Sequence, residues 1–174
     1  MIFYINKLLL GIVFLLLLSC DRDNNDNIIS EENNDVNINY EVNLEPTGDF
    51  ALIIIKDSIE SLLIGDQIGI FDSNGIVESC FPDTVPACNN PEYGETLVGS
   101  GIWDGSQMEI SIILSLDLSS FDGPILNGAI RSNSIKLKIW KEQDSQEYDT
   151  DIIFEQGDGT FNSILTVISN IELK

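Results

Sequence analysis

Residues 134–140 read Ser-Ile-Lys-Leu-Lys-Ile-Trp, and this stretch decides the fold class. Its three aliphatic residues fall on one side of an extended chain, while Lys136 and Lys138 fall on the other, because side chains alternate along a strand. A period of two indicates a β-strand with one buried face. The same alternation places Trp140 on the lysine side.

Similar patterns recur along the chain. Phe50-Ala-Leu-Ile-Ile-Ile55 is a continuous apolar run typical of a buried strand, and residues 67–71 and 108–112 alternate. Turn-forming residues separate these runs, as in Asp-Ser-Asn-Gly at 72–75, which we expect to turn the chain out of its strand. The pattern predicts an all-β fold, an antiparallel β-sandwich of about eight or nine short strands over residues 39–174.

Two segments are assigned more specifically. The apolar spacing in Asp57–Ile64 predicts one or two turns of helix. The run from Thr160 to Ser169 predicts the final strand. Its candidate core residues are Phe161, Ile164, Leu165, Val167 and Ile168.

The N-terminus resembles a lipoprotein signal peptide. Lys7 precedes an apolar run from Leu8 to Leu18, and Leu17-Leu-Ser-Cys20 has the form of a lipobox. We expect residues 1–19 to be removed and Cys20 to carry lipid such as palmitate. The alternative is an uncleaved membrane anchor, but a spanning helix needs about 20 apolar residues and this run is about half as long.

Residues 20–38 follow as a polar tether. Positions 21–38 contain six asparagines, six acidic residues and one arginine. A segment of this composition buries too little apolar surface to offset its ordering entropy, so we expect disorder. Either it is a generic linker or its acidic start helps to direct export.

The charge excludes several classes of protein. Removal of residues 1–19 takes away one lysine and no acid, so the net charge of −21 becomes −22. Such a surface repels nucleic acid, and we expect no nucleic-acid partner. The sequence has no histidine, which excludes catalysis by a Ser-His-Asp triad or a Cys-His pair.

Three cysteines are present, and lipid accounts for Cys20. Cys80 and Cys88 remain as an even pair in a chain with export features, which favours a disulfide over two free thiols.

Acidic residues offer two candidate sites. Asp66, Asp72 and Asn74 flank a predicted strand with the oxygen ligands that calcium prefers, although the spacing is not that of an EF-hand. A second acidic group, residues 142–151, lies on a predicted hairpin, and its alternation places three carboxylates on one face. Solvated turns and a solvent-facing strand are the simpler interpretation of both. We expect no cofactor other than calcium at such a site.

Two further sites would serve carbohydrate. Paired carboxylates across a cleft would make a glycosidase, but a small sandwich rarely builds a deep cleft. Trp103 and Trp140 are the candidate ligand-binding residues, as a platform on which sugar rings stack; the alternative is that they pack in the core or at its rim.

The segment GDQIGIFDSNG (65–75) begins a wider pattern. Together with GETLVGSGIWDG (94–105) and IKLKIWKEQDSQEYD (135–149), it resembles a module found in extracellular proteins and lipoproteins of Bacteroidota and related bacteria. That module has a GD-x-IG-x-FD strand and a late segment ending in Trp, and the resemblance covers about residues 40–172. It implies an exported location and a β-rich fold, and it implies no activity.

These observations give one leading hypothesis and two alternatives. The leading hypothesis is a lipid-anchored envelope protein, at the surface or periplasmic face of the outer membrane, whose sandwich is a non-catalytic binding or adhesion module for a protein or glycan. The first alternative is a polysaccharide-acting enzyme or accessory subunit. The second is a purely structural envelope component.

Overall fold

The computed structural model describes residues 37–83, 88 and 90–174. The predicted signal peptide (1–19), Cys20 and nearly all of the predicted tether (20–38) lie outside these residues. The strands found in the described part of the chain are β1 (Phe50–Ile55), β2 (Gln67–Glu78), β3 (Glu92–Ile102), β4 (Met108–Ile113), β5 (Leu116–Asp117), β6 (Ile125–Leu126), β7 (Ile135–Lys141), β8 (Gln146–Gln156) and β9 (Leu165–Leu173).

Seven strands form one sheet in the order β3-β2-β7-β8-β9-β1-β4, and β5 pairs with β6. The start of β8 pairs with β7, whereas its later residues pair with β9. The sheet therefore folds over at β8 into a first layer, β3-β2-β7-β8, and a second layer, β8-β9-β1-β4, which nearly close on themselves. The all-β prediction is confirmed. One pair departs from the antiparallel expectation, since β1 and β9 run parallel, with Leu52 beside Leu165.

The core lies between the two layers. In β7 the alternation is as predicted, with the aliphatic residues buried and Lys136 and Lys138 outward. In β1 the alternate residues Ala51, Ile53 and Ile55 point inward. Other fully buried side chains include Ile68, Ile70, Val98, Ile110, Ile112, Leu114, Leu137, Ile139, Phe161, Ile168 and Ile171.

The two end strands of the sheet, β3 and β4, approach each other closely without forming a hydrogen-bonded pair. A methyl group at Gly99 would lie 2.5 Å from the Ile112 side chain and 2.9 Å from the carbonyl oxygen of Ser111. Only glycine allows so close an approach of the β3 backbone. The middle of β4 is therefore covered by β3 rather than open to another strand.

The predicted turn at Asp72–Gly75 is wrong, because β2 continues to Glu78. The register against β3 shifts between Asp72 and Gly75, where the Asp72 carboxylate accepts a hydrogen bond from the Asn74 N–H at 2.9 Å. The local bend that aspartate favours is thus absorbed as a bulge within a longer strand.

The predicted helix at Asp57–Ile64 is also wrong, since this segment forms turns. Side chains outside this segment form hydrogen bonds with its backbone. Asp66 accepts the Leu63 N–H, and Lys141 donates to the Ser61 carbonyl. Such bonds compete with the internal bonds of a helix. In the final run, Phe161 and Ile168 are buried as predicted, but Ile164 is 72% exposed. Leu165 and Val167 are only partly buried on the outward side, and the strand begins at Leu165 rather than at Thr160.

Two other features complete the fold. Cys80 and Cys88 form a disulfide with Cα atoms 5.3 Å apart, which confirms the predicted pairing. The Cys80 backbone bonds in both directions with Ile125 in β6. None of the described residues belongs to a helix long and apolar enough to cross a membrane.

Candidate functional site

Asp66 lies in a buried ion pair. Its Oδ2 atom is 2.6 Å from Nζ of Lys141 and accepts the Leu63 N–H at 2.7 Å. The Lys141 ammonium also donates to the Ser61 carbonyl at 2.6 Å. Asp66 is 1% exposed and Lys141 is 9% exposed. The pair therefore fastens the turn before β2 to the end of β7, 75 residues away in sequence.

Asp72 holds a different crossing of the chain. It is fully buried and accepts hydrogen bonds from the Ile130 N–H at 2.8 Å, from the Asn74 N–H, and from the Asn133 amide at 2.9 and 3.0 Å. Ile130 and Asn133 belong to the segment that precedes β7. This segment also pairs with the residues that follow β4, where the Ser115 N–H donates to the Ala129 carbonyl. Asp72 therefore joins β2 to the segment that crosses between the two layers.

The calcium prediction joined Asp66, Asp72 and Asn74. The structure does not assemble them, because Asp66 and Asp72 stand at opposite ends of the Gln67–Phe71 segment and each has its own partners. No group of three or more acidic or cysteine residues within 37–83, 88 and 90–174 is placed to hold a metal ion.

The outward face of the first layer carries a charged strip, defined as Glu95, Lys136, Lys138, Glu147 and Asp149. Glu95 accepts hydrogen bonds from Lys136 at 3.0 Å and from Lys138 at 2.9 Å. Of the three carboxylates predicted on one face of β8, Glu147 and Asp149 belong to this strip, with Lys138 3.5 Å from Glu147 and Lys136 3.7 Å from Asp149. The third, Asp151, lies where β8 pairs with β9 and is 2.6 Å from Lys174.

This arrangement shifts two pKa values. The hydrogen bonds from Lys138 and Lys136 lower the pKa of Glu95. Desolvation opposes the charge of Lys138, but hydrogen bonding to Glu95 and the charge of Glu147 outweigh it, so the pKa of Lys138 is raised. Lys138 also lies 4.7 Å from the centre of the Phe71 ring. The carboxylates of the strip are paired with lysine, whereas a catalytic acid has to be able to give up and take back a proton.

The start of the described chain packs onto this same face. The Tyr40 ring meets Phe71 edge-on at 5.6 Å and lies over Gly69, where a methyl group would come within 3.0 Å of it. Its hydroxyl donates to Glu147 at 2.9 Å, and Gln67 accepts the Tyr40 N–H at 3.4 Å. Burial, the hydrogen bond to Glu147 and its charge raise the pKa of Tyr40 far above its ordinary value. The chain therefore enters the domain across the first layer.

The two candidate stacking residues do not converge. Trp103 is 3% exposed and belongs to the core, so it is not available to a ligand. Trp140 lies half-buried on the lysine side of β7, as the alternation predicts. The predicted platform of Trp103 and Trp140 is therefore not formed.

Every lysine and arginine side chain of the described domain lies in an ion pair. Six lysine and arginine residues lie between Asn37 and Lys174 against twenty-three acidic residues, and each of the six is in an ion pair. The second layer contributes Lys56 with Glu155 at 2.6 Å. Lys7 and Arg22, the other two cations of the sequence, lie outside the described residues. The described surface therefore offers a partner almost exclusively negative charge.

Part of the outward face of the second layer is apolar and only partly covered. We call it the β1 face. It consists of Phe50, Leu52, Ile54, Ile113, Leu165 and Val167. The register aligns these side chains in three neighbouring strands, and Phe50 is 62% exposed. The exposed Ile164 adjoins it, since its carbonyl accepts the Leu52 N–H at 2.8 Å.

Sequence reasoning missed this face, although the signal was present. A continuous apolar run such as residues 50–55 is typical of a strand covered on both sides. In the described structure one side of this strand is buried and the other is only partly covered. A contiguous exposed apolar patch is the kind of surface that marks an interaction site on a protein.

Comparison with known proteins found no match: no protein-family model, no curated protein and no solved structure corresponds to this chain.

Proposed function

We propose that the protein is a lipid-anchored protein of the cell envelope, held at the outer membrane through Cys20, whose sandwich is a non-catalytic binding or adhesion module. The apolar run and lipobox at the N-terminus support the anchor. The disulfide supports an oxidising compartment, where such bonds persist. The negative surface supports a protein or glycan partner rather than a nucleic acid.

One observation carries the non-catalytic part of the proposal: the grouped carboxylates are used to hold the fold. Asp66 and Asp72 are buried with their own partners, and Glu95, Glu147 and Asp149 are paired with lysine. A glycosidase needs two carboxylates with distinct protonation, facing a sugar across a cleft. Carboxylates engaged in these bonds serve stability instead.

The anchor is tested by metabolic labelling with radioactive palmitate. The wild-type chain should incorporate label and Cys20→Ser should not, whereas Ser19→Ala, which keeps a small residue beside the cysteine, should label normally. Persistent labelling of Cys20→Ser would contradict the proposed anchor.

The absence of catalysis is tested by a hydrolysis screen on polysaccharides beside a glycan array. We expect no turnover. Turnover that is abolished by a single carboxylate-to-amide change, in a variant with unchanged melting temperature, would overturn this part of the proposal in favour of an enzyme.

A further inference from the structure

The β1 face differs from the outward face of the first layer. On the first layer, paired charges and the docked Tyr40 cover the strands. On the β1 face, Leu52 and Ile54 stand side by side with Leu165 and Val167 of β9. These four side chains are partly buried, while Phe50 and Ile164 at the end of the face are 62% and 72% exposed.

The shape of this region favours docking onto the face rather than onto a strand edge. The middle of β4 is covered by the β3 backbone at Gly99, so no edge is open there for an added strand. Beside Phe50 the face continues into an open depression of about 370 Å³, which Pro46, Gly48 and Ile113 help to line.

The charge around the face decides what kind of partner fits. Glu109 is the register neighbour of Ile54, Asp57 follows β1, and Glu45 precedes the depression. All three are exposed and none has a cationic partner among the described residues. Two cations lie nearby, and both are paired: Lys56 with Glu155, and Arg131 with Asp49, which also lines the depression. The domain holds six cations against twenty-three acids, so a second copy would bring another net charge of −17 towards this rim, which opposes self-association.

We infer that the β1 face is a docking surface for a protein segment that presents apolar side chains flanked by lysine or arginine. This inference rests on the proposed function as a binding module and names the surface and the chemistry of its partner. The partner's apolar groups cover Leu52, Ile54 and Val167, while its cations meet Glu109 and Asp57. Such complementarity would set the partner's orientation and speed its association.

The test is photo-cross-linking of the full chain in the cells that make it. Benzoylphenylalanine replaces Ile54 on the β1 face in one variant, and it replaces Ile102, a 44% exposed isoleucine of the first layer, in the matched control. Circular dichroism checks that both variants remain folded. We expect an adduct from position 54 and none from 102. The partner's fragment that is cross-linked to position 54 should contain apolar residues beside at least two lysines or arginines.

Two further substitutions separate the contributions of contact and charge. Val167→Asp and Glu109→Lys, each added to the variant with the cross-linker at position 54, should lower the adduct yield about tenfold, the effect of losing roughly 1.4 kcal/mol. Val77→Asp in the first layer should leave the yield unchanged.

The other outcomes overturn the inference in distinguishable ways. An adduct between two copies of this chain would replace it with self-association, and an adduct with glycan would replace the partner class. A partner captured only from position 102 would overturn the face while leaving the binding module intact. Absence of any adduct from either position would count against both proposals.

Discussion

Replacement of Lys141 by methionine should destabilise the domain by about 3–4 kcal/mol. Methionine fills a similar volume but removes the ammonium group that lies 2.6 Å from both Asp66 and the Ser61 carbonyl. Asp66 is 1% exposed, so its charge would remain buried with only the Leu63 N–H as a partner. Breaking one side of a buried pair is costly for this reason, even where the intact pair contributes little.

The same strand supplies the control. Lys136→Met is the same substitution on the outward face, where the lysine side chain is 38% exposed and its ion pairs are screened by water. Its cost should be about 0–1 kcal/mol. Urea unfolding followed by circular dichroism gives both values, and a change in midpoint at constant slope identifies a change in stability.

A double variant isolates the interaction itself. Asp66→Asn keeps an oxygen to accept the Leu63 N–H, so the combination with Lys141→Met should be less destabilised than the sum of the single changes, by about 1–3 kcal/mol. Equal costs for Lys141→Met and Lys136→Met, or simple additivity with Asp66→Asn, would refute the role of the pair.

Three further changes test other parts of the fold. Asn133→Ala removes two hydrogen bonds from a buried carboxylate and should cost about 1–3 kcal/mol in urea unfolding, against no measurable cost for the exposed Asn43→Ala. Because the pKa of Tyr40 is raised in the folded state, its protonated hydroxyl stabilises the fold fully below the ordinary tyrosine pKa of 10.0, and this stabilisation is lost as pH rises above that value. Tyr40→Phe should therefore lose less melting temperature than wild type between about pH 9 and 11. An equal loss would contradict this assignment. Replacing Cys80 and Cys88 together by alanine should cost about 2.5 kcal/mol through the entropy of the opened loop, and an unchanged unfolding midpoint would show that the bridge does not restrain the unfolded chain.

The local pattern was sufficient to predict the strands and the fold class. Alternation at 135–140 and 67–71 depends only on which neighbours share a face, and both stretches are strands with the expected inward residues. The prediction was wrong where distant residues intervene. A helix was expected at Asp57–Ile64 from its apolar spacing alone. That spacing does not show that Lys141, 80 residues along the chain, bonds to the Ser61 carbonyl, or that Asp66 just beyond the segment accepts the Leu63 N–H.

The candidate site was predicted less well, for the same reason. A carboxylate beside a turn has the same local sequence whether it binds a metal or an amide from another segment, as Asp72 binds Asn133. Trp103 could not be placed in the core without knowing that β3 ends there. The exposure of Ile164 and Phe50 depends on which element covers the second layer, and sequence periodicity carries no information on that.

We infer that the domain binds a partner through the β1 face and not through the charged strip of the first layer. The most direct measurement is the ratio of protein adducts formed in cells by benzoylphenylalanine at position 54 and at position 102. We expect a ratio of at least about ten, with a basic, apolar fragment in the adduct. A ratio near one, or an adduct confined to position 102, would contradict it.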